Sequence, residues 1–538
     1  MQNVNLTDIL ARIEALNTIG ISLSAERDMH RLLERILTGA KEITRAEGGT
    51  LYIADAHARL TFEIVRNDRL KIAMGGTTGQ PPPFEPIPLH DAAQQPNLNN
   101  VCAYAALKNE TINITDVYNA PGFDFSGTYA FDRKTGYRSQ SFLTIPMRDH
   151  QNELIGVLQL LNARDADGDI MAFGKQEQGL AESLASQAAV ALTNHRLIDE
   201  LKNLLETFIQ VIADAIDEKS PYTGGHCRRV PELAMLFAEA LNAEDKGPLA
   251  KCKLNEQDLY ELKIAALLHD CGKITTPVHV VDKATKLETI FDRIELIKLR
   301  YEIVRRDIEI AALRAQLDAT ANAQVDAELA VQLKELTTEI EFINKANVGG
   351  EFMRDEDVTK VEKIAHRQWR TLTGETAPIL SADEAYNLSI RKGTLTAKER
   401  ECINNHIVMT LKMLERLPFP RHLRNVPEIA GGHHERMDGK GYPRGLTRDQ
   451  MSIQARLMGI VDIFEALTAA DRPYKPPMGL NQALTILGKM KLENHVDPDL
   501  FDVFINQEVY LPYAKKYLQP HQIDITDVST LPGYNRLI

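Results

Sequence analysis

The chain has 538 residues and a formal net charge of −13; 44% of its residues are apolar and 25% are charged. That length is too great for one compact core, so we expect two or three domains, and the ordinary composition excludes wholesale disorder. The acidic balance disfavours nucleic acid polymers and anionic membranes as partners. A phosphate substrate would therefore require a local cluster of cations or metals.

Cysteine usage and the N-terminus predict a cytoplasmic protein. The five cysteines are scattered and form no CxxC pair, which is typical of reduced thiols. The first ten residues lack a basic patch followed by an apolar core, and no stretch approaches the roughly 20 apolar residues that span a bilayer. We therefore expect neither a secretory signal nor a membrane segment.

Residues 1–174 predict an α/β domain. Helical spacing occurs in residues 9–16 and 32–43, and the β-like runs are residues 49–54, 60–65, 141–147 and 153–162. Residues 80–88 contain five prolines and are predicted to form a loop.

A long helix is predicted next, from residue 175 to about residue 219, and we take residues 175–205 as a connecting helix between two domains. Its apolar stripe favours pairing with a second copy of the chain, so we expect a homodimer; packing on its own domain is the alternative. The stripe consists of Leu180, Leu184, Ala188, Ala191, Leu197, Leu201, Leu205, Ile209 and Ile212.

Residues 206–538 predict an all-α domain without good strand candidates. Residues 286–387 are expected to be an insertion, because the motif-bearing sequence stops near Thr285 and resumes near Leu388. Two heptad patterns lie within it, from Ile290 to Ala315 and from Leu329 to Ile343. Joined by a short polar link, they predict an antiparallel helical hairpin.

Five of the fifteen histidines lie in contexts that suggest metal binding. His–Asp and His–His pairs on predicted helices are hard to explain by packing, because buried ionisable groups without partners cost several kcal/mol. Mixed imidazole and carboxylate ligands suit iron, manganese or zinc. The candidate ligands are His226, His269, Asp270, His406, His433, His434 and Asp462.

Two motifs, HDCGK at 269–273 and HHERMDGKGYP at 433–443, resemble the HD-GYP family of cyclic-di-GMP phosphodiesterases. The resemblance implies two divalent metal ions, iron or manganese. One would be held by His226, His269, Asp270 and Asp462, and the other by Asp270, His406, His433 and His434. Family members with three metals carry Glu where this chain has Tyr222, which favours two ions here.

The resemblance also implies the residues that contact the substrate. Lys273 would act beside Asp270 as a catalytic residue and contact a phosphate. On chemical grounds we expect Glu435 to orient a ligand histidine, with a surface position as the alternative. The other substrate-binding residues would be Gly441, Tyr442, Arg472 and Lys475. In-line attack of an activated water would open cyclic-di-GMP to linear pGpG, and hydrolysis onward to GMP stays open. Two alternatives also stay open: another cyclic dinucleotide such as cyclic GMP-AMP, and a non-catalytic receptor.

The N-terminal part resembles a GAF domain in residues 131–147 and 153–162. The resemblance implies a regulatory sensor for an unidentified small molecule in signal transduction. Against the cyclic-nucleotide signature of some GAF domains, Asn162 and Phe173 are present, but the lysine and the final acidic pair are altered. The run at 116–132 could line a pocket or form a structural loop.

Overall fold

A computed structural model describes residues 6–536 except 166, 220–224, 319–322, 351, 471–476 and 525–526. The chain divides into two compact units, Met1–Leu204 and Leu205–Ile538. The predicted boundaries at 174/175 and 205/206 stay a prediction. No helix in the described residues is long and apolar enough to cross a membrane.

The N-terminal unit is built on one antiparallel sheet with strand order β3-β2-β1-β7-β6-β5, to which β4 and β8 add short edges on β2 and β7. The strands are β1 (Ala46–Ala54), β2 (Arg59–Asn67), β3 (Ile72–Gly75), β4 (Ile87–Pro88), β5 (Ile112–Ile114), β6 (Phe142–Arg148), β7 (Leu154–Arg164) and β8 (Ile170–Met171). The helices are α1 (Leu6–Ala25), α2 (Met29–Thr44), α3 (Val101–Lys108), α4 (Ser126–Thr135) and α5 (Lys175–Lys219).

Helices cover both faces of this sheet. Neighbouring side chains of the central strand β1 point to opposite faces and therefore pack in different cores. Leu51 of β1 packs in a core with α1, α2 and the first part of α5. Its neighbour Tyr52 packs in a second core with α3. The predicted α/β domain is confirmed. In the predicted loop at 80–88, only Ile87–Pro88 is a strand.

The C-terminal unit is helical. Its helices are α6 (His226–Ala243), α7 (Glu256–Leu268), α8 (Val278–Val281), α9 (Ile294–Asp318), α10 (Ala323–Val348), α11 (Asp355–Ala365), α12 (Ala382–Leu388), α13 (Ala397–Leu414), α14 (Val426–Gly431), α15 (Ile453–Thr468), α16 (Leu480–Leu492), α17 (Pro498–Asn506) and α18 (Tyr510–Tyr517). A short 3-10 helix, Cys271–Thr275, follows α7. The main core joins the end of α5 to α6, α7 and α14 to α18. The predicted helical class is confirmed.

The segment that was predicted to be an insertion has a core of its own, formed mainly by α9 to α12. Helices α9 and α10 are antiparallel: the Tyr301 hydroxyl donates to Glu339 at 3.0 Å, and Gln316 donates to Asp326 at 2.7 Å. Two details differ from the prediction. Ile290 precedes α9, and two three-residue strands, β9 (Gln368–Arg370) and β10 (Thr376–Pro378), form a small antiparallel sheet.

Helix α5 spans the predicted residues 175–219, but its predicted stripe divides. Leu184 and Ala188 are buried in the core of the N-terminal unit, and Ile209 is buried in that of the C-terminal unit. Leu197 and Leu201 are 42% and 65% exposed. Much of the stripe therefore packs within the chain, as the alternative interpretation expected.

Candidate metal centre

Five segments of the C-terminal unit bring the predicted ligands together. Three of the segments are the first turn of α6, the residues that follow α7, and the middle of α13. The remaining two are the residues after α14 and the middle of α15. They carry, in that order, His226, His269 with Asp270, His406, His433 with His434, and Asp462.

One group of ligand atoms comes from His226, His269 and Asp270. The Nε2 atoms of His226 and His269 lie 3.1 Å apart, and His226 Nε2 lies 3.1 Å from Asp270 Oδ2. Asp462 Oδ1 adds a fourth ligand atom, 3.4 Å from His226 Nε2. The spacing is that of atoms that share one central ion.

A second group consists of His406, His433 and His434. Asp270 stands between the two groups: its Oδ2 faces His226, and its Oδ1 lies 3.3 Å from His406 Nε2. The carboxylate can therefore serve both groups with one oxygen each.

Hydrogen bonds to the ring nitrogens show which histidine atoms can bind a metal. The Nδ1 atoms of His269 and His433 lie 2.7 Å from the carbonyl oxygens of Ala266 and Ala430, and His406 Nδ1 contacts the carbonyl of Ile403. A ring that donates through Nδ1 keeps a lone pair on Nε2, as a ligating histidine requires.

Two buried histidine nitrogen atoms lack the partner that a metal would supply. His406 Nε2 and His433 Nε2 are buried and make no hydrogen bond among the residues that the structure describes. His226 Nε2 and His269 Nε2 also face each other at 3.1 Å, while the Nδ1 atoms of both rings lie against acceptors. Since such nitrogens are costly to bury unpaired, the residues fit a metal ion.

The charge states of His433, His434 and Asp270 agree with a metal site. Burial lowers the pKa of His434 to about 4, and burial together with the charge of His434 holds the pKa of His433 well below its usual range. Burial alone would raise the pKa of Asp270, but Lys273 and the neighbouring imidazoles hold it well below its usual range. Neutral imidazoles and ionised carboxylates are the forms that bind metals.

Glu465, which the sequence analysis did not select, lies behind His226. Its Oε2 is 2.5 Å from His226 Nδ1, and its Oε1 accepts from Arg229 Nε at 2.7 Å. Burial opposes charge on the ring, but Glu465 and then Asp270 and Asp462 raise the pKa of His226 well above its usual value. The available signal was Glu465, about one helical turn after Asp462 in the otherwise apolar stretch 457–467.

Lys273 lies in the 3-10 helix, and its ammonium donates to Asp270 Oδ2. Gly272 allows this helix to approach α13: a Cβ there would lie 1.9 Å from the carbonyl oxygen of His406. The motif therefore needs glycine at this position for a steric reason.

Gly441 and Tyr442, which were predicted to bind the substrate, lie close to the pair His433 and His434. Tyr442 donates its N–H to the carbonyl of His434 at 3.2 Å, and the two rings stack with centroids 4.8 Å apart. A Cβ on Gly441 would lie 2.4 Å from the backbone nitrogen of Arg436. Arg472, Lys475 and Tyr222 lie outside the described residues.

The expectation for Glu435 was wrong. Its carboxylate accepts the backbone N–H groups of Arg444 at 2.7 Å and Leu446 at 2.9 Å. These bonds stabilise residues 441–446, which we call the GYP loop. These contacts indicate that Glu435 orders the loop and does not orient a ligand histidine.

The N-terminal unit contains a cavity of about 530 Å³. The sheet contributes Tyr52, Phe62 and Phe142, and residues 124–128 with Phe131 form part of the wall. The run at 116–132 therefore lines a pocket in part, which was one of its two predicted roles. Asn162 is buried and bonded to Gln140, Ser141, Glu47 and Tyr137, so it serves the fold of the unit.

Family comparisons agree with both units. A GAF domain model matches residues 28–192, and two models described as HD domain match residues 223–336 and 379–500. The chain combines a GAF domain with an HD domain. The first HD match contains His226, His269 and Asp270, and the second contains His406, His433, His434 and Asp462.

Curated relatives match part of the chain. The 3'3'-cGAMP-specific phosphodiesterases 3 and 1 of Vibrio cholerae are 36% and 37% identical over 25% and 22% of this chain and over 28% and 27% of their own lengths. A cyclic di-GMP phosphodiesterase of Thermotoga maritima is 33% identical over 22% of this chain and 32% of its own length. The chain spans less than a third of the length of these relatives.

Proposed function

We propose that the chain is a metal-dependent phosphodiesterase that hydrolyses a cyclic dinucleotide, with cyclic-di-GMP as the first candidate and linear pGpG as the product. The observation that carries the proposal is the Asp270 carboxylate, which directs one oxygen to each of two ligand groups. A carboxylate that could serve two ions at once suits phosphodiester hydrolysis.

His226, His269, Asp270 and Asp462 would hold one divalent ion, and Asp270, His406, His433 and His434 the other. Mixed nitrogen and oxygen ligands suit iron, manganese and zinc, and iron or manganese is proposed because of the resemblance to the HD-GYP family. When bound, two such ions would lower the pKa of a water and offset charge on the phosphoryl oxygens.

The chain's own residues would position the substrate. Lys273 is partly buried with its ammonium on Asp270 and can offer a point charge to a phosphate. Tyr442 stacks on His434 and can orient that ring or meet a base. Arg472 and Lys475 remain proposed as the cations for the second phosphate or a nucleobase.

Cyclic GMP-AMP is the second candidate substrate, because two of the relatives carry the name 3'3'-cGAMP-specific phosphodiesterase. The non-catalytic receptor is less well supported, since every ligand expected for two ions is present in the chain. We further propose that the GAF cavity binds a small molecule and regulates the HD domain.

The test is turnover of cyclic-di-GMP and 3'3'-cGAMP by the purified full chain under anaerobic conditions, with metal content measured on the same sample. We expect hydrolysis that tracks about two metals per chain and is lost in His269→Ala and Asp270→Ala. His422→Ala, a histidine that stacks on Tyr260, is the matched control and should keep activity. A fully metallated chain that hydrolyses neither dinucleotide would favour the receptor.

A further inference from the structure

The last turn of α5 contacts both segments that carry the first ligand group. Lys219, the final residue of the helix, donates to three carbonyl oxygens at the end of the 3-10 helix: Lys273 at 3.0 Å, Thr276 at 2.6 Å, and Ile274. These hydrogen bonds hold the main chain of Lys273 in place, while its side chain contacts Asp270.

Two residues earlier in α5, Asp217 holds the start of α6. Its carboxylate accepts the N–H groups of Gly225 at 3.0 Å and Cys227 at 3.4 Å, which flank His226. Gly225 occupies the N-cap position of α6 and has no side chain with which to cap the helix. Asp217, which is buried, supplies from α5 the acceptor that the exposed amides of a helix N-terminus need.

Both side chains place a charge at a helix end with unpaired backbone groups: Lys219 at the C-terminal end of the 3-10 helix, and Asp217 at the N-terminal end of α6. An ammonium group has three donors, and three carbonyls use all of them. A cation is favourable at the C-terminal end of a helix, and an anion at its N-terminal end. Lys219 and Asp217 therefore stabilise, from one helix end, the 3-10 helix and the start of α6.

We propose that Asp217 and Lys219 are positioning residues, which set the placement of His226 relative to Asp270 and Lys273 and couple the metal centre to helix α5. The inference rests on the proposed metal-dependent function. A displacement of the last turn of α5 would move the α6 terminus and the 3-10 helix together with it. It would thereby change the 3.1 Å separation of His226 Nε2 and Asp270 Oδ2.

The test compares Lys219→Met, Lys219→Arg and Asp217→Asn in the full chain. Lys263→Met is the matched control, because Lys263 also makes an ion pair with α5, through Glu206 at 3.0 Å, but contacts neither of the two segments. For each variant, Mn²⁺ binding is measured by calorimetry on metal-stripped protein, and kcat and KM are measured on the metallated enzyme.

We expect Lys219→Met and Asp217→Asn to weaken one class of Mn²⁺ site and to lower kcat, each by about 10-fold, with KM nearly unchanged. Lys219→Arg, which keeps a cation with several donors, should recover most of both losses. Lys263→Met should resemble the wild type. A Lys219→Met protein with wild-type Mn²⁺ affinity and kcat would overturn the proposal, as would an equal effect of Lys263→Met.

The two proposals fail separately. If the wild type binds Mn²⁺ but hydrolyses no cyclic dinucleotide, the proposed function fails, and the Mn²⁺ affinities of the same variants still decide the role of Asp217 and Lys219.

Discussion

Replacing Glu465 by Gln tests whether the carboxylate behind His226 controls metal binding. The Glu465 side chain is 1% exposed. Its carboxylate oxygens lie 2.5 Å from His226 Nδ1 and 2.6 Å from Arg229 Nη2. Gln keeps the volume but removes the negative charge and one of the two acceptor oxygens. Its single carbonyl oxygen cannot serve both His226 and Arg229, and it increases the basicity of the His226 ring less than a carboxylate does.

Two independent estimates give the same magnitude. A hydrogen bond that involves a charged group contributes roughly 1.5–3 kcal/mol. Carboxylates that orient ligating histidines affect metal affinity about 10–100-fold, which corresponds to roughly 1.4–2.7 kcal/mol. We therefore expect one of two classes of Mn²⁺ site to weaken about 10–100-fold, while the site of His406, His433 and His434 keeps its affinity.

The assay is Mn²⁺ calorimetry on metal-stripped protein, combined with denaturant unfolding. Glu261→Gln is the matched control: Glu261 is also buried, and its carboxylate accepts from the backbone and side chain of Asn425, away from the ligands. Both variants should lose stability, but only Glu465→Gln should lose Mn²⁺ affinity. Wild-type Mn²⁺ affinity in Glu465→Gln would refute the reasoning.

Three further predictions concern stability and assembly. Gly272→Ala should lose about 3 kcal/mol in denaturant unfolding, because its Cβ would meet the His406 carbonyl at 1.9 Å. Leu201→Glu should convert a dimer into a monomer in sedimentation, since Val190, Leu197, Leu201 and Leu204 are exposed along α5 at heptad-like spacing. Lys286→Met should stabilise the C-terminal unit at pH 7 by on the order of 2 kcal/mol, because burial lowers the pKa of Lys286 to about 8.

The sign for Lys286 follows from proton linkage. Between about pH 8 and the usual lysine pKa near 10.4, the unfolded chain holds more protons than the folded chain, so wild-type stability should rise with pH in that window. Lys286→Met should lack this rise, and equal pH profiles would contradict the prediction.

Two substitutions serve as controls for the other predictions. Gly179→Ala places its Cβ in open space and should not destabilise the fold. Leu313→Glu changes an exposed leucine on α9 and should leave the dimer intact. If the Leu313→Glu variant is monomeric and the Leu201→Glu variant is still dimeric, the predicted interface on α5 is wrong.

Long periodic segments of this fold were predictable from the sequence. The helix at 175–219 and the antiparallel pair α9 and α10 follow from apolar spacing repeated over many turns. The strands Gln368–Arg370 and Thr376–Pro378 were missed because three residues are too few to display alternation. The stripe on α5 was identified, but its division between two cores depends on tertiary contacts that no local pattern contains.

The site was predictable where chemistry is concentrated in short motifs. His269 with Asp270 and His433 with His434 are neighbours in sequence, and these pairs made the ligand set visible. Glu465 was missed because its partner Arg229 lies 236 residues away. The role of Glu435 was predicted wrongly because its partners are backbone N–H groups, which residue types do not reveal.

The side-chain hydroxyl of Thr410 in α13 links this helix to the main chain of the first ligand group. The Gly272 N–H donates to Thr410 Oγ at 2.9 Å, and the same hydroxyl donates to the carbonyl of His269 at 3.2 Å. Because Thr410 is one helical turn after His406, these bonds tie the first group to the second without involving a substrate-facing side chain. In the proposed enzyme, a change in the GYP loop that suits a different nucleobase would therefore leave the placement of the two ligand groups unchanged.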